Sequence, residues 1–104
     1  MHPFVESRRP AVADICRRSG VKRLELFGSA ARDDFDLDHS DIDFLVELAD
    51  DPRQSPLVAY FELKDQLEAL FGRAVDLVSV GSVRNPYVQV AIDRDRQLVF
   101  PNET

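Results

Sequence analysis

The sequence predicts an α/β fold in which helices flank a small, largely open β-sheet. Segments with the composition of strands alternate with segments of helical periodicity along the chain. The length of 104 residues is usual for one domain, and the 44% of hydrophobic residues suffices for one modest core. Neither a repeat nor a linker is visible in the sequence. We therefore expect one domain that spans residues 1–104.

The first predicted helix covers about residues 8–19. Ser7 is a suitable N-cap, and Gly20 is a suitable terminator. Apolar side chains recur along it at helical spacing, at Val12, Ile15 and Cys16. Because the only cysteine of the chain falls on this apolar side, we expect core packing for it and no chemistry.

Two strands and an Asp-rich loop are predicted next. Residues 21–27 have the composition of a strand, and Gly28-Ser29 interrupts it before a short helical turn over residues 29–32. Residues 33–40 form the Asp-rich loop, which we expect to be solvated and mobile. A second, strongly apolar strand follows over residues 42–48.

The remaining segments alternate again between helix and strand. A helix is predicted over about residues 56–71, and Gly72 ends it. Residues 74–80 are predicted to be a strand, residues 86–93 a weaker helix, and residues 97–100 a last short strand. The core face of the long helix is marked by spacings of three and four, at Tyr60, Leu63, Leu67, Leu70 and Phe71.

The net charge of −6 is unevenly distributed. Residues 1–32 have a balance of +4, and residues 33–104 have a balance of −10. An acidic surface argues against a binder of duplex DNA, because phosphate contacts need clustered cations. There is no apolar run of the roughly 20 residues that a membrane span needs, and the N-terminus lacks the apolar core of a secretory signal. We therefore expect a cytoplasmic protein without membrane contact.

Asp41 and Asp43 are the strongest candidates for chemistry. They lie two residues apart at the start of a strand, so both side chains point to one face, about 7 Å apart between Cα atoms. Two carboxylates so placed repel each other unless a cation or water separates them. Mg²⁺ prefers such oxygen ligands, and a pair of ions about 4 Å apart can clamp an in-line displacement at phosphorus.

Asp76 is a third candidate carboxylate. It interrupts the apolar strand segment Val75-Asp76-Leu77-Val78. One interpretation is a half-buried strand whose solvated face holds Asp76, but Val78 and Val80 would then share that face. We favour a role in the site.

Gly28 and Ser29 are candidates for binding an anionic group. They lie between a predicted strand and a helical turn, where backbone N–H groups can face an anion and glycine permits close approach. Ser29 adds a hydroxyl donor, and Arg32 is within reach of a phosphate. A Gly-Ser pair alone is usually a turn, and only its position before the Asp pair makes it informative.

The Asp-rich loop also resembles the opening of an EF-hand. Asp34, Asp36 and Asp38 have the required alternation, but His39 stands in place of the glycine and Leu45 in place of the bidentate glutamate. We therefore expect these aspartates and His39 to be exposed and to bind no calcium.

Two segments of the chain resemble the polymerase-beta-like nucleotidyltransferase superfamily, and more narrowly the minimal nucleotidyltransferase (MNT) proteins of prokaryotes. These segments are Leu26-Phe27-Gly28-Ser29-Ala30-Ala31-Arg32 and Ser40-Asp41-Ile42-Asp43-Phe44-Leu45-Val46. The order of elements and the segment around Asp76 fit as well. The sequence departs from the pattern at Asp33, where many relatives have glycine, and in a loop before Asp41 that is one residue longer than usual.

The resemblance implies the nucleotidyltransferase fold, with a small mixed β-sheet flanked by helices. It implies that Asp41, Asp43 and Asp76 bind Mg²⁺ and that Asp76 helps to activate the acceptor hydroxyl. Gly28 and Ser29, assisted by Arg32, would hold ATP. MNT proteins are commonly antitoxins of HEPN-domain ribonuclease toxins, and some transfer AMP from ATP to a tyrosine of the toxin.

Two other functions compete with AMP transfer to a toxin. A catalytically inert antitoxin would neutralise its toxin by binding alone, and the three carboxylates argue against such decay. Nucleotidyl transfer to a small molecule usually requires an added helical domain, which we do not expect here.

Overall fold

In a computed structural model, which describes residues 1–32 and 34–101, four strands form one mixed sheet with the order β3-β2-β1-β4. The predicted α/β fold with helices around a small mixed sheet is thereby confirmed. The elements in chain order are α1 (Pro3–Glu6), α2 (Arg9–Arg18), β1 (Val21–Phe27), α3 (Ser29–Arg32), β2 (Ile42–Leu48), α4 (Pro56–Phe71), β3 (Val75–Ser79), α5 (Pro86–Asp95) and β4 (Gln97–Phe100).

The strand pairing sets the direction of each chain end. β1 is antiparallel to both β2 and β4, and β2 is parallel to β3. The helix α4 provides the crossover that a parallel pair requires. As a result, the C-terminal end of β1 and the N-terminal ends of β2 and β3 lie together, where these three strands end on the same side of the sheet.

The main core lies between the sheet and the helices α2 and α4. Its largest fully buried members are Phe44, Leu24, Leu26, Ile42, Leu63 and Leu67. Cys16 is completely buried among them, and this burial raises the pKa of its thiol to about 12. The prediction that the cysteine serves packing is therefore confirmed, since a thiol held protonated is a poor nucleophile.

The long helix α4 begins and ends where the sequence predicts. Ser55 is its N-cap, Pro56 its first residue, and Gly72 its C-cap in a left-handed conformation with φ of 65°. The glycine N–H donates to the carbonyl of Glu68, which satisfies one of the last carbonyls of the helix.

The N-terminal region differs from the prediction of one helix over residues 8–19. A short helix, α1, precedes α2, and Ser7 caps the C-terminal end of α1 instead of starting α2. The N-cap of α2 is Arg8, which makes no capping side-chain hydrogen bond. Sequence periodicity missed α1 because four residues form only one turn.

Smaller differences concern the ends of two elements. The third strand is Val75–Ser79, shorter than the predicted range of 74–80. The helix α5 continues to Asp95, two residues beyond the prediction, and this extension matters for the site. Within the described part of the chain, no helix combines the length and the apolar character needed to cross a bilayer.

Candidate active site

Asp43 and Asp76 face each other across the parallel pair of strands. They are register partners at the start of β2 and β3, and Phe27, the last residue of β1, is the partner of Asp43 on the other side. Register partners point to the same face of a sheet. The structure therefore places two of the three predicted carboxylates side by side, 33 positions apart in the sequence.

The Asp43 carboxyl lies in an unfavourable environment for a negative charge. Burial, followed by the charges of Asp76 and Asp41 and a hydrogen bond with Asp76, raises its pKa to about 6, whereas Arg32 acts in the opposite direction. A cation at this carboxylate pair would relieve the repulsion. The electrostatics therefore favour binding of a hard divalent cation.

Gly28 brings the predicted nucleotide loop, residues 28–32, into contact with Asp43. The glycine has a left-handed φ of 76°, and a Cβ built on it would overlap Oδ2 of Asp43 and lie 3.2 Å from its Cγ. The Gly28 carbonyl accepts hydrogen bonds from the N–H groups of Ala31 and Arg32, at 3.1 and 3.3 Å, which starts the turn of α3. Ser29, the first residue of α3, is half-buried beside it. The two predicted halves of the site thus adjoin.

Arg32 is held by carboxylates at the end of α3. Its Nη1 donates to Oδ2 of Asp95 at 2.6 Å, and its Nε lies 3.4 Å from Oδ2 of Asp34. The sequence predicted Arg32 to bind phosphate and did not indicate its pairing with Asp95, which is 63 residues away. Asp33, where the sequence departs from the family pattern, lies outside the described residues.

Asp41 is exposed and precedes the first residue of β2. Within residues 1–32 and 34–101, no group of three or more His, Cys, Asp or Glu side chains is arranged to hold a metal ion. Magnesium usually takes one or two protein carboxylates and completes its shell with water and substrate phosphates. The Asp43–Asp76 pair fits this type of site, with Asp41 acting on Asp43 through its charge.

The Asp-rich loop exposes its charged side chains to solvent and buries one aromatic residue, Phe35. Asp34, Asp36, Asp38 and His39 are exposed, as predicted, whereas Phe35 is buried. The Asp36 carboxylate accepts from the Asp38 N–H at 2.9 Å and lies 3.0 Å from Nδ1 of His39. The burial of Phe35 was not predicted, although an aromatic residue within a polar loop is a signal that the sequence contains.

An Arg73 guanidinium joins this loop to the N-terminal helix. It stacks 4.8 Å from the ring centroid of Phe4 and 4.9 Å from that of Phe35. Its Nη1 donates to the carbonyl of Ser40 at 3.2 Å, directly before Asp41. The His2 N–H supports the other half of the site by donating to the carbonyl of Ala30 at 2.7 Å.

The half-buried Asp43 lies beside the exposed Asp76 and contacts the Gly-Ser turn on a small mixed sheet, which is the arrangement expected of the nucleotidyltransferase class of proteins. The model of the nucleotidyltransferase domain family matches residues 10–99, and the chain belongs to this family. It is a nucleotidyltransferase, and the identification of an MNT protein from the sequence is confirmed by its relatives.

Two similar proteins carry names of protein adenylyltransferases. A Methanocaldococcus jannaschii protein, provisionally named a protein adenylyltransferase, is 43% identical over 75 residues, which are 72% of either chain. The protein adenylyltransferase MntA of Thermococcus cleftensis is 33% identical over 87 residues, which are 84% of this chain and 81% of that protein.

Solved structures have the same fold. A provisionally named minimal nucleotidyltransferase aligns with a TM-score of 0.74 and 33% identity, over 93% of this chain and 95% of that one. A structure of tri-AMPylated Shewanella oneidensis HEPN toxin in complex with MNT antitoxin gives a TM-score of 0.64 at 20% identity, over 93% and 72% of the two chains. At that identity, the second likeness concerns the fold alone.

Proposed function

We propose that this protein is an antitoxin that transfers AMP from ATP to a hydroxyl, that of a tyrosine, on a HEPN-domain ribonuclease toxin and so inactivates it. The observation that carries the proposal is the pairing of Asp43 with Asp76 in register, in contact with Gly28. It supports phosphoryl-transfer chemistry, in which positioning and charge neutralisation lower the barrier.

The carboxylates of Asp43 and Asp76, assisted by Asp41, would hold Mg²⁺. Bound there, Mg²⁺ would neutralise negative charge on the phosphate oxygens and lower the barrier to displacement at the α-phosphorus. Asp76 lies on the edge strand β3 and is exposed, whereas Asp43 is half-buried. Asp76 is therefore the carboxylate that an acceptor hydroxyl on another protein can approach, and we assign to it the proton that this hydroxyl releases.

The nucleotide loop would hold the triphosphate of ATP. Gly28 permits a close backbone approach, Ser29 supplies a hydroxyl, and Arg32 supplies a guanidinium at the end of α3. In the transfer, the acceptor oxygen forms a bond to the α-phosphorus of ATP. The bond between the α-phosphorus and the oxygen that bridges it to the β-phosphorus breaks, and pyrophosphate leaves. Binding the phosphates in one orientation lets the acceptor attack in line.

The choice of a protein acceptor rests on the relatives. Two proteins that are 43% and 33% identical to this chain are named as protein adenylyltransferases. The names of several solved neighbours describe toxin–antitoxin complexes, one of them with AMP-PNP. The acidic balance of residues 33–104 suits docking to a basic RNA-cleaving partner.

The test is incubation of the purified protein with labelled ATP, Mg²⁺ and the HEPN-domain protein that we propose as its toxin. We expect label on a tyrosine of the toxin, lost toxin activity, and loss of both effects in Asp43→Ala and Asp76→Ala. Asp51→Ala is the matched control, because Asp51 is a carboxylate near the opposite end of β2 that pairs with Arg53. Neutralisation of the toxin by the Asp43→Ala protein, without any label in the wild type, would instead establish an antitoxin that acts by binding.

A further inference from the structure

The end of α5 contacts the nucleotide loop through Asp95. The Asp95 side chain is only 5% exposed, and its Oδ2 accepts from Nη1 of Arg32 at 2.6 Å. Arg94 donates to both carboxylate oxygens of Asp95, at 3.0 and 3.1 Å. These hydrogen bonds, from Arg94 first and Arg32 second, lower the pKa of Asp95. The carboxylate is thus kept charged and fixed between two guanidinium groups.

The residues around Asp95 connect the same junction to the body of the domain. Arg96 donates to the buried Glu25 on β1 at 2.6 and 2.8 Å. Nε2 of Gln97 donates to the carbonyl of Ala31 at 3.3 Å, within α3 itself. The junction between α5 and β4 is therefore tied to β1, and two of its side chains contact the turn that follows the Gly-Ser pair.

Arg32 would be poorly defined without these contacts, because its side chain is 40% exposed and lies at the end of a four-residue helix. A long arginine side chain loses substantial rotamer entropy when it is immobilised on a ligand. In Arg32, Nε donates to Asp34 at 3.4 Å and Nη1 donates to Asp95 at 2.6 Å. Among the described residues, no side chain accepts a hydrogen bond from the second terminal nitrogen, Nη2, which can therefore donate to a phosphate oxygen.

We propose that Asp95 is a positioning residue for ATP, which holds the Arg32 guanidinium in the orientation that receives the triphosphate. This inference rests on the proposed function, since it assumes that Gly28, Ser29 and Arg32 bind ATP. The helix α5 would thereby take part in nucleotide binding, although Asp95 is 63 residues from Arg32 in the sequence.

Asp95→Asn tests the inference in the otherwise unchanged protein, assayed with the proposed toxin. Because the substitution removes one charge-assisted contact, we expect the KM for ATP to rise about 5-fold. We expect kcat to change by less than about 2-fold, since Asp95 does not touch the reacting atoms. Asp95→Glu should restore part of the affinity. Asp93→Asn is the control, because Asp93 is an exposed carboxylate on the same helix that pairs with Arg96 at 2.9 Å.

A double-mutant cycle separates positioning from general loosening of the fold. If Asp95 acts through Arg32, the Arg32→Gln/Asp95→Asn protein binds ATP no more weakly than Arg32→Gln alone. Additive losses would overturn the inference, and so would an unchanged or lowered KM in Asp95→Asn. Calorimetry with a non-hydrolysable ATP analogue gives the same comparison without turnover. A weaker affinity in Asp95→Asn would support the inference even if the wild type transferred no AMP, an outcome that would refute the proposed function alone.

Discussion

Gly28 and Asp43 are so closely packed that the glycine position has no space for a side chain. A Cβ at Gly28 would overlap Oδ2 of Asp43, and the left-handed φ of 76° disfavours any L-residue there. The contact joins the end of β1 to the start of β2 across an antiparallel pair. The close approach of the Gly28 backbone to the Asp43 carboxylate is therefore possible only because glycine has no Cβ.

Gly28→Ala is expected to lower kcat/KM for AMP transfer at least about 100-fold, because the added Cβ would displace the Asp43 carboxyl from its position beside Asp76. Backbone strain adds a destabilisation of about 1–2 kcal/mol. Gly20→Ala is the control: Gly20 also has a positive φ, of 70°, but no atom lies within 4 Å of the added Cβ. Gly20→Ala should be destabilised similarly and retain activity, and equal activity losses in both variants would contradict the prediction.

Asp43→Asn is expected to be inactive and yet more stable than the wild type at pH 7 in a chelator. The pKa of Asp43 is about 6 in the folded protein and has an ordinary value of 3.8. Because the unfolded chain loses this proton first, the free energy of unfolding falls as pH rises from about 4 to 6 and stays lower above that range. Removing the charge should regain up to about 3 kcal/mol at pH 7, because one unit of pKa corresponds to about 1.4 kcal/mol.

Denaturant unfolding at pH 7 and at pH 3.5 measures this gain, which should vanish at the lower pH. Asp51→Asn is the control near the other end of β2, because hydrogen bonds from Arg53 lower the pKa of Asp51 and removal of its charge should give no gain at pH 7. An Asp43→Asn protein that is less stable than the wild type at pH 7 would contradict the interpretation of Asp43 as a strained carboxylate.

Glu25→Gln is expected to destabilise the fold by about 2 kcal/mol at pH 7, since it breaks a buried ion pair with Arg96 and Arg23. Hydrogen bonds from Arg96 above all hold the pKa of Glu25 at about 2, below its ordinary 4.5. This stabilisation is present above pH 4.5 and is lost as pH falls toward 2.

The difference between wild type and Glu25→Gln should therefore shrink in acid, as measured by denaturant unfolding from pH 7 to pH 2.5. Glu47→Gln, which loses only an exposed pair with Lys22 at 3.7 Å, should stay within about 0.5 kcal/mol of the wild type. A Glu25→Gln difference that is constant with pH would show that lost packing, and not lost charge pairing, is responsible.

Arg73→Met is expected to raise the Mg²⁺ concentration for half-maximal activity about 5-fold, with little change in the KM for ATP. The substitution removes the hydrogen bond to the Ser40 carbonyl and frees the segment that carries Asp41. Arg8→Met is the control, because the Arg8 guanidinium also stacks on Phe4, at 4.1 Å, but donates to the carbonyl of Phe4 instead of that of Ser40. Equal shifts in the two variants would assign the effect to Phe4 packing.

Most elements were predictable because their signals are local. Proline and glycine mark the ends of α4, and β1, β2 and β4 have the residue ranges that the sequence predicts. The Gly28-Ser29 turn and the closely spaced Asp41 and Asp43 are also legible along the chain, since each pattern occupies a few consecutive residues. Ser7 was misassigned because a serine can cap either end of a helix, and α1 is too short to show periodicity.

The contacts that organise the site were not predictable in this way. Phe35 is buried although its neighbours are exposed aspartates, because Phe4 and Arg73 stack on it from distant parts of the chain. Arg32 looked available for phosphate, and only the end of α5 brings Asp95 to it. These contacts join residues that are distant in the sequence. They depend on how the helices and strands pack against one another, and no short segment of the sequence specifies that packing.

By itself, the sequence determined the class of fold, the family and the residues that could carry the chemistry, since propensity, periodicity and a compact motif are properties of neighbouring residues. The tertiary structure decided that Asp43 and Asp76 are register partners and that Asp41 is exposed just before β2. It also decided which carboxylates hold Arg32. The reason is that strand order and register are set by packing over the whole sheet, where a shift of one residue would turn Asp76 to the opposite face.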